Sequence, residues 1–179
     1  MPDPEVEDAL GPEPADEAPA PPTIEGAHFR RVLGHYATGV TIITALHDDK
    51  PYGLAANSFT SVSLDPPFVA FCAAYSSSTW PRIQAARKFC VNILGEDQEE
   101  ICRLMATKGA DKFAGIGWSH SGNGSPVLDG ALAFIDCTIE AEHDAGDHVI
   151  VVGRVHDLGL EEEGRPLLFF RGGYGRFDA

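Results

Sequence analysis

The run "VTIITALHDDKPYGLAANSFTSVSLDPPFVAF", residues 40–71, decides the fold. Val40 to Leu46 is continuous and β-branched, which reads as a strand, and the polar "HDDKP" after it reads as a hairpin turn. "YGLAANSF" is then the returning strand, so the first two strands are antiparallel neighbours and the fold begins as a meander. Asp65, Pro66 and Pro67 forbid helix and interrupt a ladder, so "FVAFCAAY" starts a fresh strand after a corner. Between the two lies a stretch that reads as part of a buried sheet yet carries Asn57, Ser58, Thr60, Ser61 and Ser63. Burying such groups without partners costs about 1 to 3 kcal/mol each, so either backbone groups satisfy them or a ligand does.

Upstream, "GAHFRRVLGHYATG" puts Phe29, Val32, Leu33 and Tyr36 on one face of a short helix that closes near Gly39, which marks Phe29 and Tyr36 as core residues. Downstream, "SSSTWPRIQAARKF" reads as a helix with Ser78 or Thr79 as the cap oxygen and Pro81 in the first turn. Trp80 there reads as a packing residue. "CVNIL" is a short strand, Asp97 with Glu100 suggests a capping box for "QEEICRLMAT", and the polar loop from Gly109 to Ser125 is long enough to be a functional cover, with Trp118 as a lid candidate. "AFIDCTIEAE" alternates as a half-buried strand, "HDAGDH" turns it into "VIVVGRVHDL", and "PLLFFRGGY" makes a last strand. Six or seven strands, two or three short helices and no β-α-β alternation predict a mainly β fold, an antiparallel β-barrel with appended helices.

Composition bounds the partners. The first 25 residues hold eight acidic residues, no Lys or Arg and seven of the 13 prolines, so residues 1–25 read as a disordered acidic, Pro-rich tail and residues 26–179 as the folded domain. The net charge of −14 disfavours nucleic acid, because phosphate backbones reward clustered Lys and Arg. No stretch resembles a signal peptide or approaches the ~20 apolar residues of a membrane span, so a soluble, cytoplasmic protein is expected, with no membrane partner. Cys72, Cys90, Cys102 and Cys137 lie far apart, and no disulfide is expected.

Familiar catalytic signatures fail: "GIGWSHSG" has the wrong glycine spacing for a dinucleotide fingerprint or a nucleophile elbow, and there is no phosphate loop ending in Gly-Lys-Ser/Thr. His143, Asp144, Asp147 and His148 read as a turn, so no metal is expected. Two hydroxyl clusters remain, residues 57–63 and 76–79. One ends a strand and the other starts a helix, and together they suggest donors aimed at an anion or a polar heterocycle.

At this point "YATGVTIIT", "GLAANSFTSVSLDPPFVAFC", "SSSTW", "FCVNIL", "KFAG", "GDHVIVVGRV" and "PLLFFRGGY" together resemble the flavin reductase-like, FMN-binding split-barrel family, specifically the reductase components of two-component flavin monooxygenases. The resemblance runs from about Phe29 to Tyr174. It implies a homodimeric, Greek-key split barrel that takes hydride from NADH or NADPH onto FMN or FAD and releases reduced flavin to a partner oxygenase. By motif it places Asn57, Ser58, Phe59, Thr60 and Ser61 against the isoalloxazine, and Cys72 and Ala73 beside the ribityl chain or ring. Ser78 and Thr79 would meet the flavin phosphate, Lys112 with Phe113 would add a charge there, and His148 and Tyr174 would line the nicotinamide side. His148 is then the catalytic candidate, contributing placement rather than acid-base chemistry. For both His148 and Tyr174 a structural role, as a turn histidine bonded to Asp147 and as a core or interface aromatic, is the alternative. A flavin-binding protein that stores or senses flavin without turnover is the rival reading, and the related oxidase of pyridoxamine phosphate fits less well because its basic phosphate-gripping pattern is not evident.

Overall fold

The computed structural model describes residues 23–109 and 111–177, so the expectations for residues 1–22 of the acidic tail lie outside the described residues. In chain order the elements are α1 (Gly26–Leu33), β1 (Thr38–Gly39), β2 (Thr41–His47), β3 (Lys50–Ala56), β4 (Thr60–Leu64), β5 (Pro67–Ala74), α2 (Trp80–Ala86) and β6 (Lys88–Ile93). They continue with α3 (Glu99–Met105), β7 (Trp118–His120), β8 (Pro126–Leu128), β9 (Ala133–Ala145), β10 (His148–Leu160), β11 (Leu168–Phe170) and β12 (Gly173–Gly175).

The meander predicted from residues 40–56 is present. β2 turns into β3 through Asp48 and Asp49, whose φ angles of 49° and 59° supply the left-handed pair that a two-residue hairpin needs. Seven strands form one antiparallel sheet in the order β3-β2-β6-β9-β10-β5-β4. β3 and β4 are neighbours in sequence but stand at opposite edges of that sheet. The four Cα steps from Ala56 to Thr60 span at most about 14 Å, so the sheet must roll until its edges nearly meet. Among the described residues no ladder joins β3 to β4, and the rolled sheet is therefore a barrel with an open seam.

Both faces of the rolled sheet are packed. Inside, Phe71 meets Phe89 and Trp80 edge-to-face with centroids 5.3 and 6.0 Å apart, and Ile43, Ile83, Val91 and Val151 close around them. α2 plugs this end with Trp80 and Ile83, so Trp80 is the packing residue its position suggested. Outside, Ile42, Leu94, Cys102, Met105, Leu128 and Leu167 form a second cluster beneath α3. β2 is buried on both faces, which explains why its sequence runs apolar without alternation. All four cysteines are free thiols.

Several local expectations are corrected. No residue of α1 is buried: Phe29 and Tyr36 are 52% and 78% exposed, so the apolar face is real but is not part of this chain's core. The caps differ too. Ser77 Oγ, rather than Ser78 or Thr79, accepts the backbone N–H groups of Thr79 (3.3 Å) and Trp80 (3.1 Å), while Gln98 folds its Oε1 back onto the N–H of Gly95 in place of an Asp97–Glu100 box. "PLLFFRGGY" is a hairpin, not one strand: Arg171 and Gly172, both at positive φ, turn β11 into β12, and β1 completes that small sheet.

Much of the long loop is tied down. β7 pairs with β8, Asn123 donates its side-chain amide to Phe89 O and Cys137 O, and its backbone N–H donates to the buried Asp136 carboxylate at 2.7 Å. Trp118 packs on Phe113 and His120 and does not act as a lid over the cleft described next.

Candidate active site

The seam opens into a cleft of about 370 Å³, within the range of small-molecule sites. One wall is the end of β3 and the residues beyond it, including Asn57 and Ser58; the facing wall is the end of β5, Cys72 to Ala74. Ser58 staples the two together. Its Oγ accepts the backbone N–H of Cys72 at 2.9 Å and faces Cys72 O at 3.4 Å. The polar crowding of residues 57–61 follows from this position: Asn57, Ser58, Thr60 and Ser61 are exposed at the seam or along the edge strand β4, not buried inside a sheet.

The far end of the cleft is lined by Ser76 to Thr79 and by the chain after α3, Ala106 to Lys108, with Lys112 beneath. Lys112 is 9% exposed, and its Nζ donates to Met105 O (2.7 Å), Gly53 O (3.1 Å) and Thr79 Oγ1 (3.2 Å). One ammonium thus fastens α3, β3 and the start of α2 to one another. Gly53 permits this closeness, since a Cβ there would stand 2.6 Å from Met105 Sδ. All three acceptors are neutral and no carboxylate among the described residues pairs with the amine. Burial therefore pushes the Lys112 amine below its ordinary range.

His148 lines the cleft and stands opposite Ala74 in the β10–β5 ladder. The turn before it is held by Tyr75, whose N–H donates to Asp147 O at 3.1 Å and whose hydroxyl donates to the Asp144 carboxylate. The imidazole Nδ1 donates to Asp147 Oδ1 at 2.7 Å, which fixes the ring and holds the Asp147 carboxyl below the usual range, the hydrogen bond first and the histidine's charge second. His148 is thus the turn histidine bonded to Asp147, and it is also among the residues that line the cleft.

Of the residues expected from sequence, the cleft unites Asn57, Ser58, Cys72, Ala73, Ser78, Thr79, Lys112 and His148. Five fall elsewhere. Phe59 and Thr60 line a groove with Tyr36, Ser61 lies on exposed β4, and Phe113 belongs to a neighbouring cavity. Tyr174 lines a small separate cavity with Cys102, to whose Sγ its hydroxyl is hydrogen-bonded at 3.2 Å, and Arg103 caps its ring at 4.7 Å. Ser76 and Ser77, which the sequence offers only as members of the 76–79 hydroxyl cluster, also line the cleft, as does Lys108, which sequence reading missed because nothing local distinguishes it from any surface lysine.

The charge of the site runs against that of the chain. Lys108, Lys112 and His148 line the cleft and, among the described residues, no Asp or Glu does, in a protein of net charge −14. Among the described residues no cluster of His, Cys, Asp or Glu has the makings of a metal site. A cleft in which hydroxyls and an ammonium without a carboxylate partner stand alongside small apolar residues, with no Asp or Glu among the described residues that line it, suits a planar heterocycle that carries phosphate.

Comparison with known proteins agrees with that chemistry. Residues 33–178 match the flavin reductase like domain. The chain belongs to the flavin reductase-like family. It is 50% identical over 157 residues to a flavin reductase of Pseudomonas putida, covering 87% of this chain and 92% of that protein. It is 48% identical to HsaB, the reductase subunit of a flavin-dependent monooxygenase from Rhodococcus jostii, covering 89% and 82%. A nitrilotriacetate monooxygenase component B homolog from Mycobacterium thermoresistibile superposes with a TM-score of 0.82 at 50% identity, covering 85% of this chain and 86% of that one. The NADH:FAD oxidoreductase SgcE6 of Streptomyces globisporus, solved with NAD and FAD fragments, superposes at 0.80 with 35% identity, covering 85% and 92%. This flavin reductase-like chain thus has the split barrel of its relatives, and its acid-free cleft lies along the split.

Proposed function

We propose that this protein is an NAD(P)H-dependent flavin reductase that binds FMN or FAD in the seam cleft and supplies reduced flavin to a separate oxygenase. The observation that carries the reading is that, among the described residues of an acidic chain, no carboxylate lines the cleft and none pairs with buried Lys112. Ser76, Ser78, Lys108 and Lys112 would hold the phosphate end of the flavin, and the Asn57–Ser58 and Cys72–Ala73 walls would hold its ring, with His148 beside it. Flavin bound there supplies the hydride acceptor, and a nicotinamide supplies the hydride.

The chain's own part is placement. Ser58 holds the two walls at a fixed separation, the barrel excludes water from one side of the ring, and Asp147 keeps His148 pointed so that its Nε2 stays free to meet a second ring. No proton transfer by the protein is needed. His148→Ala is expected to raise KM for the nicotinamide about tenfold while leaving flavin affinity unchanged.

The site is proposed to work within a homodimer. An eight-residue helix is marginal alone in water, yet α1 buries none of its residues and exposes Phe29, Val32 and Leu33, so a second copy is the proposed cover for that face. Oxidation of NADH or NADPH by the purified protein, measured with and without FMN and FAD, tests the reading. Nicotinamide loss that depends on added flavin is expected; none with any of the four pairings overturns it.

A further inference from the structure

The hairpin that carries His148 overhangs the sheet. β9 pairs with β6 only as far as Thr138, opposite Lys88, whereas its ladder with β10 runs on to Ala145, opposite His148. From residue 140 to the tip, the pair of strands has a sheet neighbour on the β5 side alone among the described residues, and that ladder too ends, at the His148–Ala74 pair. The imidazole's own partner does not remedy this. The Asp147 side chain is 94% exposed and adjoins His148 in sequence, so it fixes the ring to the tip but not the tip to the cleft. Two other residues anchor the overhang. Glu142 accepts Gln84 Nε2 at 2.5 Å and Arg87 Nη1 at 2.7 Å, which ties β9 to the end of α2. Tyr75, the residue after β5, donates its N–H to Asp147 O at 3.1 Å and its hydroxyl to Asp144 on β9. β10 lies between β5 and β9, so this one side chain reaches across the strand that begins at His148 and closes on the strand beyond it.

Resting on the flavin reductase reading, we propose that Tyr75 is a positioning residue: its hydroxyl, held by Asp144, straps down the tip of the β9–β10 hairpin and so sets where His148 meets the nicotinamide. Neither Tyr75 nor Asp144 lines the cleft, so the strap reaches the reaction through His148 alone. Transfer between two rings is steep in placement, and a strand end that loses its strap spreads His148 over more positions. The test reads flavin affinity by fluorescence with FMN and with FAD, and KM and kcat for NADH and NADPH at saturating flavin. The full-length chains compared are wild type, Tyr75→Phe, Asp144→Ala and Asp144→Asn, each also in the His148→Ala background. Tyr75→Phe and Asp144→Ala are each expected to raise the nicotinamide KM about fivefold with flavin affinity unchanged. Asp144→Asn keeps an acceptor oxygen and is expected to stay within about twofold of wild type. None of the three should raise KM further once His148 is alanine, because residues that act through one another are not additive. A folding defect in Tyr75→Phe leaves Asp144→Ala to decide. Increments that add to that of His148→Ala, or flavin affinity that falls together with the rise in KM, overturn the proposal and leave a merely structural tie. An unchanged KM in both Tyr75→Phe and Asp144→Ala overturns it with the flavin reductase reading intact. A wild type that consumes neither nicotinamide with either flavin overturns that reading and this proposal together.

Discussion

Lys112 has three protons and gives all of them to neutral oxygens, so an anion in the cleft feels its charge rather than a hydrogen bond from it. The "KF" pair is legible in the sequence, but its proton count is not, because the acceptors come from residues 53, 79 and 105. Because burial depresses its pKa from 10.5, the native state holds fewer protons than the unfolded chain between the lowered value and 10.5. The cost of the buried ammonium is then complete below the folded pKa and is relieved as pH rises through it. A bound phosphate acts the other way, favouring the charged amine. Flavin affinity is therefore expected to weaken as pH climbs toward 10.5, and Lys112→Met to bind flavin about tenfold more weakly with that alkaline slope gone. Titrations across the alkaline range check both; an unchanged slope in the variant contradicts the role. Tyr174 titrates late for a different reason: burial first, and the bond with Cys102 second, push its phenol up to about 12. Its contribution to stability is complete below pH 10 and is lost as pH rises through 12. An ultraviolet titration should show a late tyrosinate that vanishes in Tyr174→Phe. At Gly153, a Cβ would stand 2.5 Å from Phe89 Cζ and 3.3 Å from Cys137 Cβ, so Gly153→Ala should cost about 1 to 3 kcal/mol in denaturant unfolding.

At the scale of elements, what could be read from sequence was whatever depended on nearest neighbours along the chain. The β2–β3 hairpin is written in "HDDK", and the β9–β10 hairpin in "HDAGDH", because turn chemistry and strand pattern agree there. The α2 cap was not readable to the residue, since four adjacent hydroxyls have equal claim and geometry chose Ser77. The β11–β12 turn was hidden because an apolar run ended in "RGGY" and period alone cannot mark where a short strand reverses. α1 shows the sharper limit. Its apolar stripe predicts burial but not by what, and none of the described residues buries it. Covering each such side chain contributes about 1.5 to 3 kcal/mol, so Phe29→Asp with Leu33→Asp should weaken self-association by about 100-fold or more. Light scattering on a size-exclusion column checks this; an unchanged mass for the double variant contradicts the proposed interface.

At the scale of the molecule, strand order makes the site. Nothing between residues 57 and 148 in the sequence says that they meet; they do so because β3 and β4 lie at opposite edges and the three residues between them draw the sheet into a barrel with a seam. Motifs far apart in the chain, "AANS", "FCAA", "SSST", "KF" and "GDH", are then collected along that opening. Phe59, Thr60, Phe113 and Tyr174 carry the same motifs yet line other cavities, and Ser61 lies on the exposed edge strand, since adjacent residues on a strand or loop face different ways. The local charge fits the proposal: in a −14 chain, no Asp or Glu among the described residues lines the cleft proposed to take the flavin phosphate. A crystal structure of the protein soaked with oxidised flavin tests this most directly. Flavin density between the Asn57–Ser58 and Cys72–Ala73 walls, with phosphate beside Ser78 and Lys112, is the predicted result. Density in the Tyr36–Thr60 groove or the Tyr174 cavity, with the seam left to water, would contradict it.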